Sequence, residues 1–198
     1  MRLPSAVLSW LWRCCDFLYR WTHGLTDPAA EVRPILRVQV KPYRGDPLAL
    51  ADGSLIRPGD PIGVIHLNNE RVSALHGDGA GSRWAGLAFR RAFHASLETL
   101  AEHARNAPRY RAVRGFTATT IFHHGTEWIG FEVRPLSRPL LSQLVAAYER
   151  RLLTQFHPLG RRRPGRPRFA EARQIWISRE ELIRRYASER SSARGTHA

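Results

Sequence analysis

The run Arg57-Pro58-Gly59-Asp60-Pro61-Ile62-Gly63-Val64-Ile65-His66-Leu67-Asn68-Asn69 constrains the fold more than any other segment of the chain. A tight turn feeds a buried strand, and the strand ends in three neutral polar side chains. Alternation puts His66 and Asn68 on one face and Ile65, Leu67 and Asn69 on the other. A polar pair on a rigid element is the natural place for a site. A neutral imidazole and two amides supply donors and acceptors without fixed charge, so His66, Asn68 and Asn69 are ligand-binding candidates. Asp60 is a candidate to orient His66 as a general base. The plainer alternatives are that the three polar residues cap the strand end, and that Asp60 bonds the backbone of its own turn.

The 198 residues are 43% hydrophobic, which suits one domain able to bury roughly two thirds of its unfolded surface. The formal charge is +14, from 31 Lys and Arg against 17 Asp and Glu, and Lys41 is the single lysine. Such an excess should attract phosphates, whether on nucleic acid or on anionic lipid, without choosing between them. Cys14 and Cys15 are adjacent, which disfavours an unstrained disulfide and gives no zinc spacing. They read as reduced apolar fillers of a cytoplasmic protein. Neither a metal nor a cofactor is expected.

From Pro4 to Thr22 the polar residues trace one narrow stripe on an otherwise apolar helix: Ser9, Arg13, Asp16 and Arg20, with His23 beyond. Its charges argue against a spanning segment or a cleaved signal. The helix therefore either packs on the domain or lies at the inner face of a membrane, with Trp10, Trp12, Tyr19 and Trp21 at the headgroups.

Ile35–Lys41 alternates as a half-buried strand with Leu36, Val38 and Val40 inward. Asp52-Gly53 turns a hairpin between Leu48–Ala51 and Ser54–Ile56. A helix capped by Ser82 runs to about Ala104, carrying Phe89, Phe93, Leu97, Leu100 and Ala104 on one face, and Pro108 ends it. A second hairpin is expected between Ala112–Phe122 and Glu127–Val133, with Gly125 supplying the positive backbone angle at its tip. Leu140 to Leu152 reads as another helix, and Gln174–Ile177 as a last strand. Ser178 and Glu181 form a capping box for a helix bearing Leu182, Ile183 and Tyr186.

Between the Leu140–Leu152 helix and the Gln174–Ile177 strand, residues 159–169 are too rich in Arg, Pro and Gly to be regular. Arg161, Arg162, Arg163, Arg166 and Arg168 make this loop the strongest charge cluster and the anion-binding candidate. Pro164-Gly165-Arg166-Pro167 is similar to the core of an AT-hook, which lies in a narrow minor groove. A solvated linker and an anionic membrane or polysaccharide contact are the competing readings. His123, His124 and Glu127 stand at the second hairpin tip, where a metal corner is conceivable and solvated histidines are the rule. Neither a phosphate-cradling glycine loop nor a nucleophile elbow is present in the sequence.

The Trp/Phe/Tyr-rich opening helix, Arg57-Pro58-Gly59-Asp60 leading into Ile65-His66-Leu67-Asn68-Asn69, the strand Trp128-Ile129-Gly130-Phe131-Glu132-Val133 and the terminal Ile175-Trp176-Ile177-Ser178 together resemble the YkoP-like domain of Gram-positive bacteria. The resemblance covers about residues 5 to 187. That domain occurs alone or behind polysaccharide deacetylase domains, so the resemblance implies association with envelope polysaccharide metabolism. The Thr-Phe-Asp-Asp-Gly-Pro metal motif of the deacetylase partner has no counterpart here. The expectation is one α+β domain over residues 31–187, an antiparallel sheet of two hairpin units with packed helices. An amphipathic helix lies within residues 1–30 and a disordered tail over residues 188–198. The expected role is a non-catalytic binding or accessory domain, with an anionic membrane surface or polysaccharide-processing enzymes as partners. The alternatives are an enzyme acting on a sugar or phosphorylated precursor through His66 and Asp60, and weak DNA binding through the Arg161–Arg168 loop.

Overall fold

Alternation in Ile35–Lys41 becomes strand β2 (Leu36–Pro42), with Leu36 and Val38 buried and Val40 packed on the core's edge. The computed structural model describes residues 27–75, 82–136 and 171–187. The opening amphipathic helix, the helix through Leu140–Leu152, the basic loop 159–169 and the tail from Ser188 lie outside the described residues.

The chain enters through a 3-10 turn, Pro28–Ala30, capped by the Asp27 carboxylate. Strand β1 (Glu31–Val32) pairs with β2, and β2 pairs antiparallel with β5 (Pro61–Leu67). Between them, β3 (Leu48–Ala49) and β4 (Leu55–Ile56) make the expected hairpin, with Gly53 at φ +86°. This hairpin is a separate two-stranded sheet packed against the large one. Helix α1 (Asn69–Ala74) follows β5, and α2 (Ser82–Asn106) then crosses back to β6 (Gly115–Thr120). The last elements are β7 (Glu132–Arg134), β8 (Arg173–Ser178) and α3 (Arg179–Tyr186).

The result is a single α+β domain around a six-stranded sheet ordered β1-β2-β5-β6-β8-β7. Two features differ from the sequence expectation. The β5–β6 pair is parallel, because a helical crossover rather than a hairpin joins those strands. Also, β6 and β7 do not pair with each other: β8 lies between them and pairs antiparallel with both. Residues 121–131 form a crossover, with a 3-10 helix over Thr126–Ile129 flanked by left-handed Gly125 and Gly130. Local pattern found β6 and the turn glycine, but most of the expected Glu127–Val133 strand is the 3-10 helix, leaving only β7 at its end, and the true partner comes more than 35 residues later.

One face of the sheet carries the main core. Leu97, Leu100, Ala101 and Ala104 of α2 and Leu182 of α3 are fully buried against Val38, Ile65, Phe116 and Ile177. Each large apolar side chain so buried contributes roughly 1.5–3 kcal/mol. On the other face Trp176 and Ile62 meet Leu50 and Ile56 of the hairpin, with the Tyr43 ring edge-on to Trp176 at 5.6 Å. Ser178 joins the layers: its hydroxyl donates to Asp52 in the hairpin turn and accepts the Glu181 N–H at 2.9 Å. Only half of the expected capping box forms, because the Glu181 carboxylate turns to Arg184 and Arg185.

The parallel seam closes over a glycine. A methyl group on Gly63 would stand 2.6 Å from Phe116 Cε1 and 3.1 Å from Val38 Cγ1. Gly63→Ala is therefore expected to destabilise by about 1–3 kcal/mol through overpacking. A thermal melt should register this as a drop of several degrees; an unchanged midpoint would mean the seam is soft.

Candidate functional site

Strand register determines which side chains share the hairpin-side face. Arg37 lies opposite His66, Gln39 opposite Val64, Val64 opposite Thr117, and Thr119 opposite Gln174. Extending the parallel register by two residues sets Thr119 on β6 at the level of His66. A polar row thus crosses four strands: Arg37, His66, Thr119 and Gln174. With strands about 4.8 Å apart it spans ~14 Å. The next residue along, Arg134 on β7, is taken up by the hairpin, donating to the Ala49 carbonyl at 3.0 Å and pairing with Glu132 at 2.8 Å.

All four residues of the row are half-buried. The row behind it includes Gln39 and Thr117, whose Oε1 and Oγ1 are sealed from solvent without a hydrogen-bond partner among the described residues. An unsatisfied buried polar atom costs about 1–3 kcal/mol, so this face carries polar chemistry at the expense of stability. At its β1 edge Arg71 Nη2 donates to both Glu31 carboxylate oxygens at 3.0 and 3.1 Å, and Arg37 lies 4.0 Å from the same carboxylate.

The sequence candidates separate. His66 belongs to the row. Asn68 does not: the strand ends at Leu67, and Asn68 is the 4%-exposed cap of α1. Its side chain accepts the Arg71 N–H at 3.4 Å and its N–H donates to the Ile35 carbonyl at 2.8 Å. Asn69 is the first residue of the helix. Asp60 accepts the Arg57 N–H at 2.7 Å within its own turn. It precedes β5 whereas His66 stands near the far end, so six strand residues hold the two ~20 Å apart. The proposed His66–Asp60 dyad is therefore not assembled. The reason is geometric: an extended strand separates what the linear sequence puts close together. The anion candidates Arg161, Arg162, Arg163, Arg166 and Arg168 lie outside the described residues.

Thr119, Gln174, Arg37 and Gln39 are not among the sequence candidates. Their signal was present as the polar half of each strand's alternation, but which strands become neighbours is a long-range fact.

His123 and His124 face each other with ring centroids 4.2 Å apart. Among the described residues no group of three His, Cys, Asp or Glu could hold a metal ion. Burial, the neighbouring His124 and the Arg173 charge lower the His123 pKa, against a hydrogen bond to the Thr120 backbone that raises it. The unfolded chain thus takes up this proton first as pH falls from about 6.5, so the folded state loses stability through that window and regains it as pH rises. His123→Gln should flatten this part of the stability–pH curve. Titration of the His123 ring by NMR checks the sign; a midpoint at or above the ordinary histidine value would contradict it.

Among the described residues no helix is long and apolar enough to cross a membrane. No solved structure matches the chain. A Bacillus subtilis (strain 168) protein described as "Uncharacterized protein YkoP" is 26% identical over 124 residues, which cover 62% of this chain and 67% of that protein. The family model described as the YkoP domain matches residues 5–186, nearly the whole chain. With the sheet, its flanking helices and the segments noted above all inside that match, the chain belongs to the YkoP domain family.

Proposed function

We propose that this is a non-catalytic binding domain whose hairpin-side sheet face holds an uncharged, hydroxyl-rich ligand, in the setting of bacterial envelope polysaccharide metabolism. The observation that carries this reading is the row Arg37, His66, Thr119 and Gln174 on a rigid sheet. Imidazole, hydroxyl and amide groups both donate and accept, which suits sugar hydroxyls, and a rigid platform lowers the entropy cost of binding. The separation of Asp60 from His66 weighs against the enzymatic alternative. The basic chain and its aromatic opening segment, whose polar residues fall at helical spacing in the sequence, fit a position at the inner face of the membrane, as a peripheral rather than a spanning protein.

Two measurements test this. His66→Ala and Gln174→Ala should each abolish binding of cell-wall glycan oligosaccharides in calorimetric titration while leaving the melting temperature nearly unchanged. If either variant instead melts several degrees lower, with binding by the wild type undetectable, the row is structural. Co-sedimentation with anionic vesicles should exceed that with neutral vesicles and fall as salt rises; equal, negligible binding to both removes the membrane from the proposal.

A further inference from the structure

The end of β5 away from His66 borders a cleft of about 330 Å³, lined by Asp60, Pro61, Arg111, Arg114, Arg179 and Glu180 among others. Its walls are braced by backbone hydrogen bonds. The Arg114 N–H donates to the Pro61 carbonyl at 2.9 Å, and the Arg179 N–H donates to the Arg114 carbonyl at 3.1 Å. Three arginines therefore stand around a corner fixed by two strands and the start of α3.

Their charges are unequally committed. Arg179 donates to the Ala104 carbonyl through Nε at 3.1 Å and Nη2 at 2.8 Å, and lies 3.7 Å from Glu180. Arg111 and Arg114 make no ion pair among the described residues, and both are exposed. Of the two rim carboxylates, Asp60 is engaged by the Arg57 N–H at 2.7 Å and Glu180 faces Arg179. Two guanidinium groups thus remain available, beside an opening large enough for a small ligand group. Guanidinium forks match phosphate oxygens in pairs, and two of them suit a group carrying nearly two negative charges.

We propose that this cleft binds the phosphate or pyrophosphate group of a ligand, with Arg111 and Arg114 as its binding residues. The site is separate from the polar row and does not depend on the glycan reading. The phosphate could be that of a soluble ester or of a lipid headgroup, and the two are distinguishable.

The test titrates the isotope-labelled full chain with inorganic pyrophosphate at constant ionic strength and follows backbone amide shifts by NMR. Saturable shifts are expected at Arg111, Arg114, Arg179 and Glu180. The double variant Arg111→Gln/Arg114→Gln should weaken binding at least about tenfold. Arg111→Lys/Arg114→Lys should recover only part, because lysine keeps charge but loses the fork. Arg90→Ala/Arg91→Ala, two exposed cations on α2, should leave affinity unchanged. Equal weakening by the Gln and the α2 variants, or shifts that never saturate, would overturn the proposal in favour of diffuse attraction to a basic chain. Phosphatidylcholine vesicles with and without phosphatidic acid form the second arm. Arg111/Arg114-dependent binding to the phosphatidic acid vesicles assigns the site to a lipid headgroup, and pyrophosphate binding without it assigns a soluble phosphate ester.

Discussion

The parallel joint between β5 and β6, closed by the Phe116 ring lying over Gly63, is the contact on which the rest of the sheet depends. Three register pairs unite two otherwise antiparallel halves, β1-β2-β5 on one side and β6-β8-β7 on the other. Phe116 also meets the Tyr110 ring at 6.0 Å, which ties the joint to the turn leaving α2. A slip of one residue here would swap the faces of a whole half. His66 would no longer share a face with Thr119 and Gln174, and Ile65 would leave the core. The composition of the polar row is thus a consequence of how a ring seats on a glycine.

A second constraint keeps the two faces chemically different. Helices α2 and α3 both pack on one side, where they cover the main apolar cluster. The other side is covered at one end by the β3–β4 hairpin, held by Ser178 on Asp52 and by Arg134 on the Ala49 carbonyl. Hydrogen bonds from Ser178 and Ser54 overcome partial burial and keep the Asp52 carboxyl below its ordinary range, so this strap is charged at neutral pH. The apolar cluster under the hairpin includes Trp176, and the Arg37, His66, Thr119 and Gln174 row beyond it on this face is polar and half-buried.

Much of this was legible in the sequence wherever local chemistry decides. The alternation of β2, the Asp52-Gly53 turn, the Arg57–Asp60 turn, the apolar stripe of α2 and the Ser178 cap each rest on residues within a few positions of one another. What was not legible depends on contacts distant in sequence. Gly125 was recognised as a turn glycine, but its turn opens a crossover instead of a hairpin because β8 takes the place beside β6. The strand position of His66 is legible from alternation, whereas Thr119 and Gln174 join its row only through pairing. Asn68 was assigned to the strand face, and the backbone instead uses it to start a helix that begins immediately after the strand. Asp60 failed for the opposite reason, as a residue close in the sequence and distant in space.

The straightness of β5 is what divides the chemistry of this domain. A strand cannot fold back on itself, so groups at its two ends act on different ligands or on distant parts of one extended ligand. At the His66 end the side chains are mainly neutral donors and acceptors, with Arg37 held near Glu31. At the Asp60 end Arg111 and Arg114 make no ion pair among the described residues, and the two rim carboxylates are engaged by a backbone N–H and by Arg179. A His66–Asp60 acid–base pair would need both groups in one place, and the strand holds them ~20 Å apart. Binding needs only that each end offer a fixed arrangement of hydrogen-bonding groups. The geometry that separates the pair is the same geometry that gives the domain two chemically distinct surfaces, the one proposed above for hydroxyls and the other for phosphate.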